Sequence, residues 1–371
     1  MIRQHIPLGR VMGIPIGVDY SWFLVFALLT WSLATGYYPT EFPAWSTPLY
    51  WFMGAVTAIM LFTSVVLHEL GHSVVALRYK VPVRSITLFI FGGVAQLGAE
   101  PPSAVAEFFI AIAGPLVSLA LAVLFDAVQH LAPEGQPLWG LAKYLAFLNL
   151  ALVLFNLIPG YPLDGGRVFR AVVWAITRNM QRATIIAANV GRFFGFLFIV
   201  VGFMRVFRGD LGGLWIAFIG WFLHNAASAQ LYQVRFRTLL AGHTVSQAMS
   251  GHCVAVPAEL TLQQLVDEHI LSGGQRCFLV TRGGGAVGLM TLHRIKEVPR
   301  GEWPTTSAAQ AMLPLEKLKH VGPDKELWTA LQQMDRAGVN QLLVMTDGRV
   351  VGMLSREDVI TYLGTLQELG A

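Results

Sequence analysis

Three polar, titratable side chains stand together at the end of an uncharged apolar run: His68-Glu69-Leu70-Gly71-His72 follows directly on Tyr50–Leu67. On a helix, positions i and i+4 face the same way, so both imidazoles can reach one metal ion. Glu69 lies beside the first of them and can accept a proton from a water activated there. Two histidines and a carboxylate with one open position make a hydrolytic zinc site. An ionisable residue inside a membrane span costs roughly 2.5–3.5 kcal/mol even on a lenient insertion scale. Three within five positions therefore need a compensating partner, and a metal supplies it better than snorkelling to the cytosolic surface.

A tetrahedral catalytic zinc takes a third protein ligand, for which Asp164 is the candidate. It lies in Asn156-Leu-Ile-Pro159-Gly-Tyr-Pro162-Leu-Asp164-Gly165-Gly166-Arg167, where another apolar run breaks. Two prolines end the helix and two glycines permit tight backbone. Irregular backbone at membrane depth is tolerated only where it is buried or lines a wet cavity. The aspartate there faces the metal or, on the plainer reading, caps a following helix, Gly165–Arg178.

The elements that position these residues follow from composition. Of 371 residues, 54% are hydrophobic and 13% charged, with a mean hydropathy of +0.56. A soluble domain carries roughly a quarter charged residues, so a disordered chain, a disulfide-stapled secreted domain and an ordinary soluble enzyme are excluded. The charge is also uneven. Residues 1–239 hold 15 Lys+Arg and 9 Asp+Glu, whereas residues 240–371 hold 11 and 13. A membrane domain is expected over 1–239 and a soluble part after it. Cys253 and Cys277 have no CxxC spacing and suggest neither a disulfide framework nor a thiolate metal site.

Six apolar runs predict six membrane helices: Trp22–Tyr38, Tyr50–Leu67, Phe108–Phe125, Tyr144–Ile158, Phe193–Met204 and Leu211–Gln230. None opens like a signal peptide. With the N-terminus inside, the cytoplasmic stretches carry 11 Lys and Arg and the opposite side Lys143, Arg205 and Arg208. That bias places both termini in the cytosol. Arg192, inside the fifth run, is the exception. Glu107 and Asp126 bracket the third run and are expected at the interface, as are His224 and Asn225 unless they bond within the bundle. Ser85–Leu97, β-rich with Gly92-Gly93, reads equally as a membrane-associated hairpin and as a re-entrant loop.

From Gly242 onward the sequence repeats at an offset of 63 to 64 residues: Ala248-Met249 as Ala311-Met312, and Gly288-Leu-Met-Thr291 as Gly352-Met-Leu-Ser355. That offset suits two tandem α+β units. Each reads as a helix, two short strands joined by a Gly-rich or Asp-Gly turn, and a second helix.

His68-Glu69-x-x-His72 followed by Asn156-x-x-Pro159-x-x-x-x-Asp164-Gly165 resembles the site-2 protease family of intramembrane zinc metalloproteases, over about residues 1–235. Phe91-Gly92-Gly93 and Ala113-Gly114-Pro115 fit as well. Relatives often carry an asparagine where this chain has Ser118. The resemblance implies one zinc ion per chain on His68, His72 and Asp164, with Glu69 as general base and then acid. It implies that Asn156 orients the substrate peptide or stabilises the oxyanion. The reaction would be hydrolysis of a peptide bond in or beside a substrate's transmembrane segment. The substrate would be a membrane-tethered protein, such as a transcription regulator or anti-sigma-type protein.

The second half resembles a pair of cystathionine-β-synthase (CBS) domains, at 240–303 and 304–371. In that family a Gly-h-h-Ser/Thr-x-x-Asp stretch can hold ATP or another adenosine nucleotide. Ser355 and Asp358 fit that pattern, while Arg294 replaces the acidic residue in the first copy. Paired modules of this kind commonly dimerise. The expectation is a polytopic α-helical membrane protein with a C-terminal tandem CBS module, in the inner (cytoplasmic) membrane, without a nucleic acid partner. The rival class is a non-proteolytic, CBS-regulated transporter or sensor, which gives no reason for the order of the two motifs.

Overall fold

Alternating apolar residues flank Met12-Gly13, and both have positive φ, 52° and 82°, as a tight hairpin turn requires. They join β1 (Ile6–Val11) to β2 (Ile14–Val18) as an antiparallel pair. The segment expected as hairpin or loop is a hairpin, β3 (Val83–Phe89) and β4 (Gly92–Leu97). A parallel β2–β3 pairing completes a four-stranded sheet, β1-β2-β3-β4, in which β4 is an edge. The computed structural model describes residues 6–90, 92–250, 254–272, 277–347 and 349–368; Arg3, Phe91, Cys253 and Gly348 lie outside them.

The chain divides into two compact units, Met1–Val234 and Arg235–Ala371. The first unit adds α1 (Tyr20–Ser32), a π-helical turn at Leu33–Tyr37, α2 (Tyr38–Glu41) and α3 (Thr47–Arg78). After the β3–β4 hairpin come α4 (Ala104–Leu131), α5 (Pro137–Asn156), α6 (Asp164–Thr177), α7 (Met180–Phe207) and most of α8 (Gly213–Leu240). Among the described residues, α3, α4, α5 and α7 are long and apolar enough to cross a membrane. The first expected span is helical, but its regular part ends after 13 residues at the π-helical turn. The last lies within α8, where His224, Asn225 and Gln230 dilute the apolar run. Large apolar side chains such as Phe147, Leu154, Phe193 and Phe196 remain exposed on the long helices, as a lipid-facing surface demands.

The sheet lies on the part of α3 that carries the histidine motif. Ile14, Ile16 and Ile86 pack on Val66 and Leu70, and Val18 and Leu88 on Phe62. Glu107, expected at the head of the third span, is in the first turn of α4, and its side chain is fully buried in the protein. A carboxylate in that position must be paired, and its partner is Arg170 of α6. His224 bonds within the bundle, its Nδ1 lying 3.2 Å from the Arg192 carbonyl oxygen.

The second unit repeats one strand pattern. β5 (Val254–Pro257) pairs parallel with β6 (Cys277–Arg282), which pairs antiparallel with β7 (Gly285–Thr291). Further on, β9 (His320–Val321) pairs parallel with β10 (Gln341–Thr346), and that antiparallel with β11 (Arg349–Ser355). The register slips at Val280/Thr281 and again at Val344/Met345. The other α-helices and strands are α9 (Val245–Ala248), α10 (Leu262–Gln264), which continues as a π-helix over Leu265–Leu271, α11 (Leu292–Glu297), α12 (Ala308–Ala311), β8 (Leu313–Pro314), α13 (Leu327–Ala337) and α14 (Arg356–Glu368). Packing crosses the sequence repeat. Val245 of α9 is buried with Leu327, Val344 and Val359, whereas Ala308 and Ala311 of α12 are buried with Val256, Phe278 and Met290. Each core thus takes its first short helix from the other copy.

Candidate metal centre

The two imidazoles meet as the i,i+4 spacing requires. His68 Nε2 and His72 Nε2 lie 3.2 Å apart, and Asp164 Oδ2 lies 3.1 Å from the first and 3.2 Å from the second. Both histidines are buried, and the Asp164 side chain is 13% exposed. No other element is needed to close the triangle.

One face of α4 sets the rings. His72 Nδ1 donates to the Ile110 carbonyl oxygen at 2.6 Å, and His68 Nδ1 pairs with Ser118 Oγ at 2.8 Å. A carbonyl only accepts, so Nδ1 of His72 carries the proton and, in the neutral ring, Nε2 is a bare lone pair. Ser118, three residues after Pro115, thus serves as the side-chain partner of His68. Gly114 faces the two Nε2 atoms: a Cβ there would collide with His72 Nε2 and sit 2.7 Å from His68 Nε2.

Asp164 arrives by a tightly folded approach. α5 ends at Asn156, and the following irregular segment packs against the first turn of α6. A side chain at Gly165 would meet the backbone of Leu157 and Ile158, and one at Gly166 the backbone of Gly160 and Tyr161. The two glycines are therefore required by close approach. α6 begins at Asp164 itself, its N-cap is Leu163, and no side chain caps it. The capping reading fails because the carboxylate is engaged by the histidines.

Glu69 is half-buried, with Oε2 accepting from the Ala95 amide of β4 at 3.1 Å and Gly93 packed over its Cγ. Asn156 is half-buried at the end of α5, and no hydrogen bond of its side chain occurs among the described residues. The structure thus joins His68, His72 and Asp164, keeps Glu69 beside them on α3, and leaves Asn156 outside the triangle. In the second unit, Asp358 Oδ2 accepts from the Ser355 amide at 2.8 Å and from Ser355 Oγ at 2.6 Å, and Ser355 Oγ accepts from the Asp358 amide. Those two residues close the start of α14 on each other.

The donor set fits zinc. Nitrogen and oxygen ligands held about 2.0–2.1 Å from one tetrahedral ion lie about 3.3–3.4 Å from each other, close to the separations here. A bare imidazole lone pair 3.2 Å from a buried carboxylate oxygen is repulsive unless a cation or proton lies between them. Each ring nitrogen turned away from the triangle also has the partner that a metal-binding histidine needs.

The first unit thus combines helices long and apolar enough to cross a membrane with a buried two-histidine, one-aspartate cluster beside a broken helix. Comparison with known proteins gives the family. The model of peptidase family M50 matches residues 56–134 and 134–199, and that of the CBS domain matches 309–365. The chain is 35% identical to "Putative zinc metalloprotease sll0528" of Synechocystis sp. over 98% of its own length and 97% of that protein. It is 38% identical to "Putative zinc metalloprotease Rip3" of Mycobacterium tuberculosis over 96% of its length and 92% of that protein. The solved site-2 protease from Methanocaldococcus jannaschii is 32% identical, covering 62% of this chain and 95% of that one, with a TM-score of 0.45. The chain belongs to the M50, or site-2 protease, family and is a multi-pass membrane protein with a C-terminal CBS domain.

Proposed function

We propose that this chain is an intramembrane zinc endopeptidase that cleaves a membrane-tethered protein within or beside its transmembrane segment. The observation that carries this reading is the triangle of His68 Nε2, His72 Nε2 and Asp164 Oδ2, with sides of 3.1 to 3.2 Å, buried beside the Glu69 carboxylate. Zinc held there supplies Lewis-acid polarisation of the scissile carbonyl and the attacking water. Glu69 takes the proton of that water and returns it to the leaving amine nitrogen. The Ala95 amide on Oε2 fixes the carboxylate for both transfers. Asn156, at the helix break, orients the peptide or donates to the developing oxyanion. A substrate segment unwound from its helix can pair with the open edge of β4.

The full architecture in this reading has six spans, including those of α1 and α8, in the cytoplasmic membrane. The N-terminus and the C-terminal unit face the cytosol, following the Lys and Arg bias. The C-terminal unit acts as a paired CBS sensor, with domains at 240–303 and 304–371, a nucleotide at Ser355 and Asp358, and a dimer formed through the pair. A transcription regulator or anti-sigma-type protein held at the membrane fits as substrate.

The test is cleavage of a model single-span substrate by the full-length protein in vesicles, with the product ends mapped by mass spectrometry. The reading expects a cut in or beside the span that disappears in Glu69→Gln. Equal cleavage by Glu69→Gln, or none by the parent protein with zinc bound, would overturn it.

A further inference from the structure

We infer that Glu107 is a positioning residue of the metal site: through Arg170 it fixes the seat of α6, and with it the place of Asp164 against His68 and His72. The inference rests on the metal reading above and extends it to a residue that touches neither the metal ligands nor a substrate.

Glu107 is fully buried, and Arg170 is 7% exposed. Arg170 Nε donates to Glu107 Oε1 at 2.9 Å, Nη2 of the same guanidinium donates to the same oxygen, and Arg167 Nε lies 3.8 Å from it. Glu107 Oε2 has no hydrogen-bond partner among the described residues, so Arg170 is the carboxylate's one close engagement. The guanidinium also lies 5.7 Å from the ring centroid of Tyr161, in the segment that leads into Asp164. A two-pronged guanidinium contact is directional, unlike an ammonium contact. It therefore sets the rotation of α6 as well as its distance from α4.

α4 then holds all three proposed ligands. Its Ile110 carbonyl and Ser118 hydroxyl orient the two rings, and Gly114 admits their Nε2 atoms. Glu107, two helical turns before Gly114 and so on the same face, grips the helix that begins with Asp164. Six residues of rigid helix, about 9 Å, separate Asp164 from Arg170. A small rotation at Arg170 is thus transmitted to the carboxylate, which has no cap of its own to hold it.

The experiment uses the full-length protein with zinc or cobalt alone, measuring metal affinity by competition with a chelator and the visible absorption of the cobalt form. Glu107→Leu combined with Arg170→Met removes both charges at once, so neither is left buried and unpaired. The expected result is a folded protein whose zinc affinity falls roughly tenfold to a hundredfold, as for other groups that orient a ligand, with a changed cobalt spectrum. Glu107→Gln, which keeps an oxygen at Oε1, restores most of the affinity and the parental spectrum. Should the double variant lose cooperative melting, Arg170→Lys is decisive: it keeps the charge, loses the fork, and is expected to weaken zinc several-fold with a shifted spectrum. Tyr38→Phe, which removes a buried 2.6 Å bond to Thr57, is the control and leaves metal binding as in the parent. If the parent binds zinc and the double variant, or Arg170→Lys in its place, matches it in affinity and spectrum, the inference falls and the metal reading stands. If the parent binds no zinc, both fall.

Discussion

Two small polar clusters sit at helix starts in this molecule, and they face their neighbours in opposite ways. Around Asp358, every short contact joins a donor to an acceptor: the Ser355 amide and hydroxyl give to the carboxylate, and the Asp358 amide gives back to Ser355. That cluster is complete in itself and starts α14. Around Asp164, a carboxylate oxygen and two imidazole nitrogens meet at 3.1 to 3.2 Å, with the outer nitrogens already committed to Ile110 and Ser118. Three atoms that can each present a lone pair converge there on one buried point, as a cation site requires. The lesson is that an aspartate at a helix start is read from the donors that face it.

The largest expected effect breaks chemistry away from metal binding. Glu69→Gln should lower peptide cleavage by about two to four orders of magnitude, the usual worth of a general base, while zinc content stays that of the parent. A loss of zinc in that variant would make Glu69 part of the metal shell. Next comes Gly114→Ala, whose methyl collides with the two Nε2 atoms. Chelator competition should show zinc affinity reduced at least as far as by any outer-partner change, by about a hundredfold. Ser118→Ala removes only the partner of His68 Nδ1, and about a tenfold loss of affinity is expected by the same titration. The smallest effect sharpens the other side of the comparison. Asp358→Ala should cost about 1 kcal/mol in the stability of the second unit, as for a lost helix cap, measured by denaturant unfolding, with zinc content unchanged. A change in zinc content there would erase the distinction between the two clusters.

The His68, His72 and Asp164 cluster stood out in the sequence because charge is scarce before residue 240. Two histidines four positions apart in an apolar run, and an aspartate between a Pro-broken helix and two glycines, have few other uses. Glu107 was not legible. A lone glutamate at the head of an apolar run looks like an interfacial residue, and only the packing of α4 on α6 brings Arg170 to it. The sequence signal, weak by itself, was a pair of arginines three and six residues after Asp164. The β1–β2 hairpin carried a better signal, the alternation Ile14, Ile16, Val18 after Met12-Gly13, but its strands are short and their partner β3 lies some 70 residues on. In the second unit the repeat predicted two copies of one strand pattern. It could not tell that α9 and α12 pack into each other's core, because sequence periodicity does not say which copy a short linker-borne helix joins.

The central claim is that His68, His72 and Asp164 are one metal site. Its most direct test is the zinc content of the purified full-length protein beside His68→Ala, His72→Ala and Asp164→Ala, each checked for cooperative melting. One zinc per chain in the parent, and little or none in each variant, is the expected result. Zinc retained at parental stoichiometry by the folded variants, or absent from the parent, would contradict it.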